Sequence, residues 1–233
     1  MSPLNPARLL AVWESGARRH PIDRALLLYA LAAPQVDPES LADRSLGERN
    51  AAILALRTAH FGRPLAAWID CAHCGERMEF ELDPAQLPEP PNALPAPVHV
   101  GAYRFLPPTS RHLAIAANTD DGEAATLALM RACLDGDVPS DDTLSAMIDA
   151  AGEALDAADP WADIALDLPC PACGQAMSAS FDIAAYVWDE LDTRARALLD
   201  DIHTLATAYG WTEPEILALS DTRRAAYLDR VQT

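Results

Sequence analysis

Lysine is absent from this 233-residue chain, so all seventeen basic residues are arginines, set against thirty-five acids for a formal net charge of −18. A field of that sign repels phosphate backbones, which argues against free nucleic acid as a partner. Long apolar runs are missing too. None approaches the roughly eighteen residues needed to span a bilayer, and no membrane association is expected. The opening Met1-Ser2-Pro3-Leu4-Asn5-Pro6 lacks the basic-then-apolar pattern of a secretory leader. Cysteine is scarce, at five residues; that density cannot build a disulfide scaffold and fits a reducing, cytoplasmic setting. There is no H-E-x-x-H, no G-x-S-x-G and no glycine loop of the phosphate-cradling type. The chain therefore reads as non-enzymatic, with no small-molecule substrate. Half of its residues are hydrophobic, enough for a substantial core.

The charge is unevenly spread. Residues 1–70 hold eight arginines against seven acids, 71–193 hold four against twenty-two, and 194–233 hold five against six. The whole excess lies in the middle. It provides a solvated acidic surface or, more sharply, an acidic docking face for a basic protein partner.

Four of the five cysteines form two matching phrases: Cys71-Ala72-His73-Cys74-Gly75, and Cys170-Pro171-Ala172-Cys173-Gly174 ninety-nine residues later. Met78 and Asp83 recur at the offsets of Met177 and Asp182. Each phrase is a C-x-x-C-G knuckle, in which a tight turn aims two thiolates at one point and glycine supplies the backbone freedom. Two knuckles complete one four-cysteine site for a single structural zinc ion held by Cys71, Cys74, Cys170 and Cys173. Alternation at Met78, Phe80 and Leu82, and at Met177 and Phe181, predicts strands leaving each knuckle, with Trp68-Ile69 and Leu166-Asp167-Leu168 as incoming strands. Two redox dithiols, or two separate metal sites completed by histidines such as His73, remain alternatives. A deaminase-like use of Pro169-Cys170-Pro171-Ala172-Cys173 with Glu76 would leave Cys71 idle and ignore the repeat. Cys133, in a helical pattern, reads as a buried apolar residue.

Helix signals fill the rest. Asn5-Pro6 opens a helix through Trp13, a second runs over 23–33, and Asp37-Pro38 starts a short third. Ser45 and Glu48 have capping-box spacing ahead of Leu46, Ile53, Leu54 and Phe61, ended by Gly62 and Pro64. Six prolines between Pro84 and Pro97 predict an extended linker without helix. A short strand is expected over 98–106, then a helix capped by Thr109 or Ser110, and further helices over 121–134 and 140–157. From Ile183 on, Leu191, Ala195, Leu198, Ile202, Leu205 and Tyr209 form one apolar stripe that could seal a core or bind a partner helix, with core packing the favoured reading. His203 on this helix is expected to hydrogen-bond within the core, whereas His20, His60, His99 and His112 form no spaced cluster. Gly210 stops the helix, Thr212 to Glu215 form a capping box, and Ser220 caps a last helix.

Trp13-Glu14 with Gly16, Arg24-Ala25-Leu26, the two knuckles, Leu106 to Arg111, and above all His203 to Leu219 with Arg224 and Tyr227 resemble small proteins encoded beside the baseplates of contractile phage tails and related injection particles. They are similar to the T4-type baseplate hub and assembly proteins. The resemblance implies a structural or chaperone-like role among other baseplate or tail proteins, in the producing bacterium's cytoplasm or within the assembled particle. Trp211, Arg223, Arg224 and Tyr227 are the candidate partner-binding residues. A zinc-ribbon adaptor for some other protein or, less favoured by the charge, for nucleic acid is the alternative.

The expected fold is mainly α with a small β zinc ribbon: two helical units joined by a four-cysteine clasp, with a helical insertion between the knuckles. The expected units are an amino-terminal helical unit (1–64), a first ribbon half (65–83), a proline-rich linker and strand (84–108), an acidic helical insertion (109–158), a second ribbon half (164–182) and carboxyl-terminal helices (183–233).

Overall fold

The computed structural model describes residues 4–91, 93–119 and 121–231. Met1-Ser2-Pro3, where no leader is expected, Asn92 in the proline-rich linker, Asp120 in the acidic insertion and the final Gln232-Thr233 lie outside them. The protein is mainly α-helical with small antiparallel β elements.

Helix α1 (Pro6–Gly16) starts where Asn5 accepts from the Arg8 N–H at 2.9 Å. Helix α2 (Pro21–Ala32) begins two residues earlier than expected, because Pro21 at its first position fixes φ and the His20 ring accepts from the Ile22 N–H. After a 3₁₀ turn over Pro38–Asp43, helix α3 (Leu46–Phe61) is capped by Ser45, whose hydroxyl accepts from the Glu48 N–H at 3.2 Å. Only that half of the expected capping box is made: the Glu48 carboxylate accepts from the Tyr29 hydroxyl at 2.8 Å and pairs with Arg44.

Among the described residues three separate hairpins follow the helical start: β1 (Leu65–Asp70) with β2 (Arg77–Leu82), β3 (Val98–Val100) with β4 (Tyr103–Phe105), and β5 (Ala165–Pro169) with β6 (Ala176–Ser180). The single strand expected over 98–106 is thus a hairpin, since Gly101 takes a positive φ of 61° and turns the chain back. The proline-rich run also opens with a 3₁₀ turn over Pro84–Gln86, where Asp83 and Gln86 form a capping box around a proline at the first position. Farther along, the linker is pinned by the Trp161 indole N–H, which lies 3.2 and 3.1 Å from the Pro88 and Glu89 carbonyls.

In the insertion, α4 (Ser110–Ala116) is capped by Thr109 and α5 (Gly122–Cys133) by Asp121. The helix expected over 140–157 is two, α6 (Asp141–Ser145) and α7 (Ile148–Ala158). Its break has no proline or glycine; α6 closes on a tightened turn in which the Met147 N–H reaches the Leu144 carbonyl at 3.0 Å. Helix α8 (Ile183–Tyr209) ends at Gly210, whose φ of +69° is left-handed. Helices α9 (Glu213–Leu217) and α10 (Asp221–Val231) finish the chain.

Three apolar clusters organise these elements. The main core packs α1–α3 against the first half of α8, with Leu28, Tyr29, Ile53, Leu65, Val187 and Leu191 almost wholly enclosed. Gly16 allows the closest approach there, since a Cβ would stand 2.3 Å from the Trp188 ring. The insertion has its own core of Phe105, Met130, Cys133, Leu144, Ala151 and Leu155. The stripe on α8 runs out of the first core into a third, where Leu198, Ile202 and Leu205 meet Ile216. Tyr209, its last member, is 38% exposed.

The amino-terminal end of α3 ties the insertion to the main body. Asp159, 2% exposed, accepts from the Gly47 N–H at 3.0 Å. Arg49 reaches the Ser110 hydroxyl at 2.9 Å, Asn50 donates to the Trp161 carbonyl at 2.8 Å, and the Leu46 N–H donates to the Pro108 carbonyl at 2.9 Å. One end of the insertion is held by Ser110 and Pro108, the other by Asp159 and Trp161.

Candidate metal centre

Each knuckle is the turn of a β-hairpin. In the first, the Cys71 N–H bonds the Glu76 carbonyl at 2.8 Å and the Gly75 N–H returns to the Cys71 carbonyl at 2.8 Å. In the second, Cys170 bonds Gln175 at 2.9 Å and Gly174 returns to Cys170 at 2.8 Å. Gly75 and Gly174 carry matching positive φ values of 74° and 72°, the conformation a Cβ would oppose. Identical offsets in sequence have become the same turn twice.

The two turns face each other. Cys71 Sγ lies 3.8 Å from Cys173 Sγ, Cys74 Sγ lies 3.7 Å from Cys170 Sγ, and all four sulfurs fall within 4.8 Å of one another. A tetrahedron with metal–sulfur bonds of about 2.3 Å has edges of about 3.8 Å, so the four sulfurs fit around one ion with little adjustment. The first cysteine of each pair is buried and the second exposed. Ile69, Met78, Leu168 and Met177 pack beneath them as an apolar floor. No other group of metal-ligating side chains forms among the described residues, and exposed His73 is not part of this one.

The four thiols are not electrostatically alike. The Cys74 and His73 backbone N–H groups point at the Cys71 sulfur and lower its pKa to about 6. The Glu76 N–H pulls Cys74 in the same direction, but desolvation and the neighbouring sulfurs prevail and push it up to about 12. One thiolate is easily formed here; successive charges at the same point are resisted until a positive ion neutralises them. The all-thiolate donor set suits a soft or borderline metal and leaves out the hard cations that prefer oxygen.

The remaining candidates are arranged differently. Trp211 stacks on Tyr209 at 4.7 Å between centroids and meets the edge of Tyr227 at 4.8 Å, forming a half-buried aromatic cluster beside Gly210. Arg224 is turned inward, its side chain 12% exposed, to Asp201 at 3.2 Å and Asp221 at 2.9 Å, while Arg223 faces outward. His203 is exposed, contrary to expectation: Ile202 and Leu205 occupy the buried stripe, and the position after Ile202 is rotated about 100° away from it. Cys133 is fully buried at 3.5 Å from the His112 Nδ1, and burial pushes its thiol up to about 12, the state of an inert core residue.

Two features had no signal in the sequence. One is the Asp159–Gly47 contact, which spans 112 residues. The other is a groove of about 670 Å³ between the two cysteine-bearing hairpins and α8, lined by Ala67, Ile69, Phe80, Leu166, Leu168 and Tyr186 among others.

No helix among the described residues is long and apolar enough to cross a membrane. Compared with protein-family models, curated proteins and solved structures, the chain matches none.

Proposed function

We propose that the protein is a non-enzymatic structural or assembly component of a contractile-tail or injection-system baseplate, stabilised by one zinc ion in a ribbon built from Cys71, Cys74, Cys170 and Cys173. The observation that carries the metal part is the convergence of four thiols from two hairpins ninety-nine residues apart in sequence. Four thiolates fill a tetrahedral ion and leave no coordination position for an activated water, which supports a structural role over a hydrolytic one. The resemblance of the Tyr209-Gly210-Trp211 region to baseplate hub and assembly proteins supplies the biological context, and the acidic middle of the chain suits a basic protein partner.

Metal analysis of the purified chain tests the first part. One zinc per chain is expected, with its loss on chelation accompanied by loss of helical circular dichroism. Cobalt substitution should give the intense thiolate-to-metal absorption of a tetrathiolate site, and Cys74→Ser should abolish it. Two metals per chain, or a fully folded metal-free protein, would contradict the clasp. Gene neighbourhood, and co-expression with tube, spike and wedge proteins of a contractile-tail cluster, test the second part; failure to co-purify with any of them, or neighbours devoted to transcription or repair, would sink the baseplate reading.

A further inference from the structure

The two ribbon hairpins differ at their outer edges, and hydrogen-bond parity shows how. In an antiparallel ladder each residue turns both main-chain groups to the same side, and successive residues alternate. Cys71 bonds across to Glu76, so Ile69, Ala67 and Leu65 face β2, while Asp70, Trp68 and Ala66 face away from it. The Tyr186 hydroxyl, donating to the Ala66 carbonyl from α8 at 3.1 Å, agrees with that assignment. The same parity from Cys170 and Gln175 turns Pro169, Asp167 and Ala165 outward on β5. Proline has no N–H to offer and a charged aspartate resists desolvation beside another strand; both are devices that keep an edge from pairing. On β1 no proline stands at the edge, and its outward aspartate, Asp70, is drawn to Arg77 at 2.9 Å. The Trp68 N–H and carbonyl face outward with no partner among the described residues, and β1 pairs with β2 alone.

The groove runs beside this open edge. Its volume of about 670 Å³ is that of a ligand site, and its lining from Ile69, Phe80, Leu166 and Leu168 is apolar. On its α8 rim, Arg57 and Arg194 are both engaged by Glu190, at 2.9 and 3.2 Å. The exposed Asp189 carboxylate next to them has no such partner among the described residues. Glu79 and Glu81 add exposed negative charge along the adjoining strand.

We propose that the free edge of β1 and this groove form a strand-addition site for an extended segment of a partner protein that alternates apolar and basic residues. Main-chain hydrogen bonds to Trp68 would hold the segment, apolar side chains would enter the groove, and basic ones would meet Asp189 and the acidic strand. Charge complementarity selects this occupant. A second copy would bring together two chains of −18 each, and a nucleic acid would be repelled for the same reason. The inference goes beyond the baseplate reading and does not depend on it; the clasp matters only in holding the two hairpins face to face.

The test is fluorescence anisotropy with the metal-loaded full chain and a fluorescein-labelled synthetic nonapeptide of alternating lysine and valine. A counterpart N-methylated along both main-chain edges keeps the charges and side chains but cannot add as a strand. It should bind about tenfold more weakly or worse. Trp68→Pro removes the outward N–H without touching a ladder bond, and should weaken the unmethylated peptide by a similar factor while helical dichroism and metal content stay unchanged. Asp189→Lys should weaken it severalfold. Equal binding of the two peptides, no binding of either, or unchanged affinity in Trp68→Pro would overturn the proposal. Self-association in sedimentation that Trp68→Pro abolishes, without peptide binding, would assign the edge to a second copy and overturn the partner. Should Trp68→Pro fail to fold, the peptide pair on the unaltered chain decides. Failure of the zinc reading appears in the metal analysis before any peptide is added, so the two cannot be confused.

Discussion

Gly47→Ala isolates the contact that joins the acidic insertion to the amino-terminal helices. The added methyl would stand 1.7 Å from the Asp159 Oδ1 and 2.5 Å from its Cγ, both far inside contact distance. Asp159 is 2% exposed and cannot swing into water without opening the junction. Displacing it leaves the Gly47 N–H unpaired in the first turn of α3, a loss of about 1–2 kcal/mol on the scale of helix caps. Moving a packed carboxylate adds strain of roughly 1–3 kcal/mol. Alanine returns about 1 kcal/mol of helix propensity relative to glycine. The net expectation is destabilisation of about 1–4 kcal/mol, read as a lowered urea midpoint with the slope unchanged. A double-mutant cycle sharpens it. In an Asp159→Ala background the obstacle is gone, so Gly47→Ala should become neutral or stabilising. If it costs the same in both backgrounds, or if the single variant is as stable as the parent, the close approach at this junction is not what glycine is there for.

Other expectations follow from single contacts. Because burial raises the Asp159 carboxyl above its ordinary 3.8, its neutral form is the one that folding favours. Its contribution is therefore fully present below pH 3.8 and is lost as pH rises through the raised folded value. The stability of the parent relative to Asp159→Asn should fall over that window in paired urea titrations, and a flat difference would contradict it. Arg224→Ala, which removes a mostly buried partner of Asp201, should cost about 1–3 kcal/mol by thermal unfolding, whereas Arg223→Ala should stay within about 0.5 kcal/mol. Cys133→Ala should leave metal content untouched and cost about 1–2 kcal/mol, since it empties a fully enclosed position away from the thiol cluster; lost metal would place it in the site. Gly75→Ala and Gly174→Ala should each cost about 1 kcal/mol, because open space surrounds both and only the positive φ resists a side chain.

What could be read from the sequence was what local chemistry determines. The knuckles were legible because the glycine, the spacing and the paired thiols are demands of one short turn, and the repeat showed that demand twice. Most helix starts were legible because Asn5, Asp37, Thr109, Asp121 and Ser220 cap by contacts within a few residues. The α8 stripe was legible through its spacing, although nothing in it announced that it would serve two cores. The break between α6 and α7 was hidden because no proline or glycine marks it. The 98–105 hairpin was hidden because Gly101-Ala102 is a weak turn signal within a short apolar run. Glu48 was drawn from its local capping partner by Tyr29, a neighbour only in the folded chain. The Asp159 junction and the β1 groove depend on residues brought together from far apart, and no local pattern encodes them.

Helix α8, at twenty-seven residues, is about 40 Å long and contains neither glycine nor proline. Its first half is gripped by α1–α3 and runs directly out of the β6 strand that follows the second knuckle; its last turns carry the Tyr209–Trp211–Tyr227 aromatics. Such a rod bends little. The first and third cores therefore share one uninterrupted backbone, and a change that melts the middle of α8 would part them.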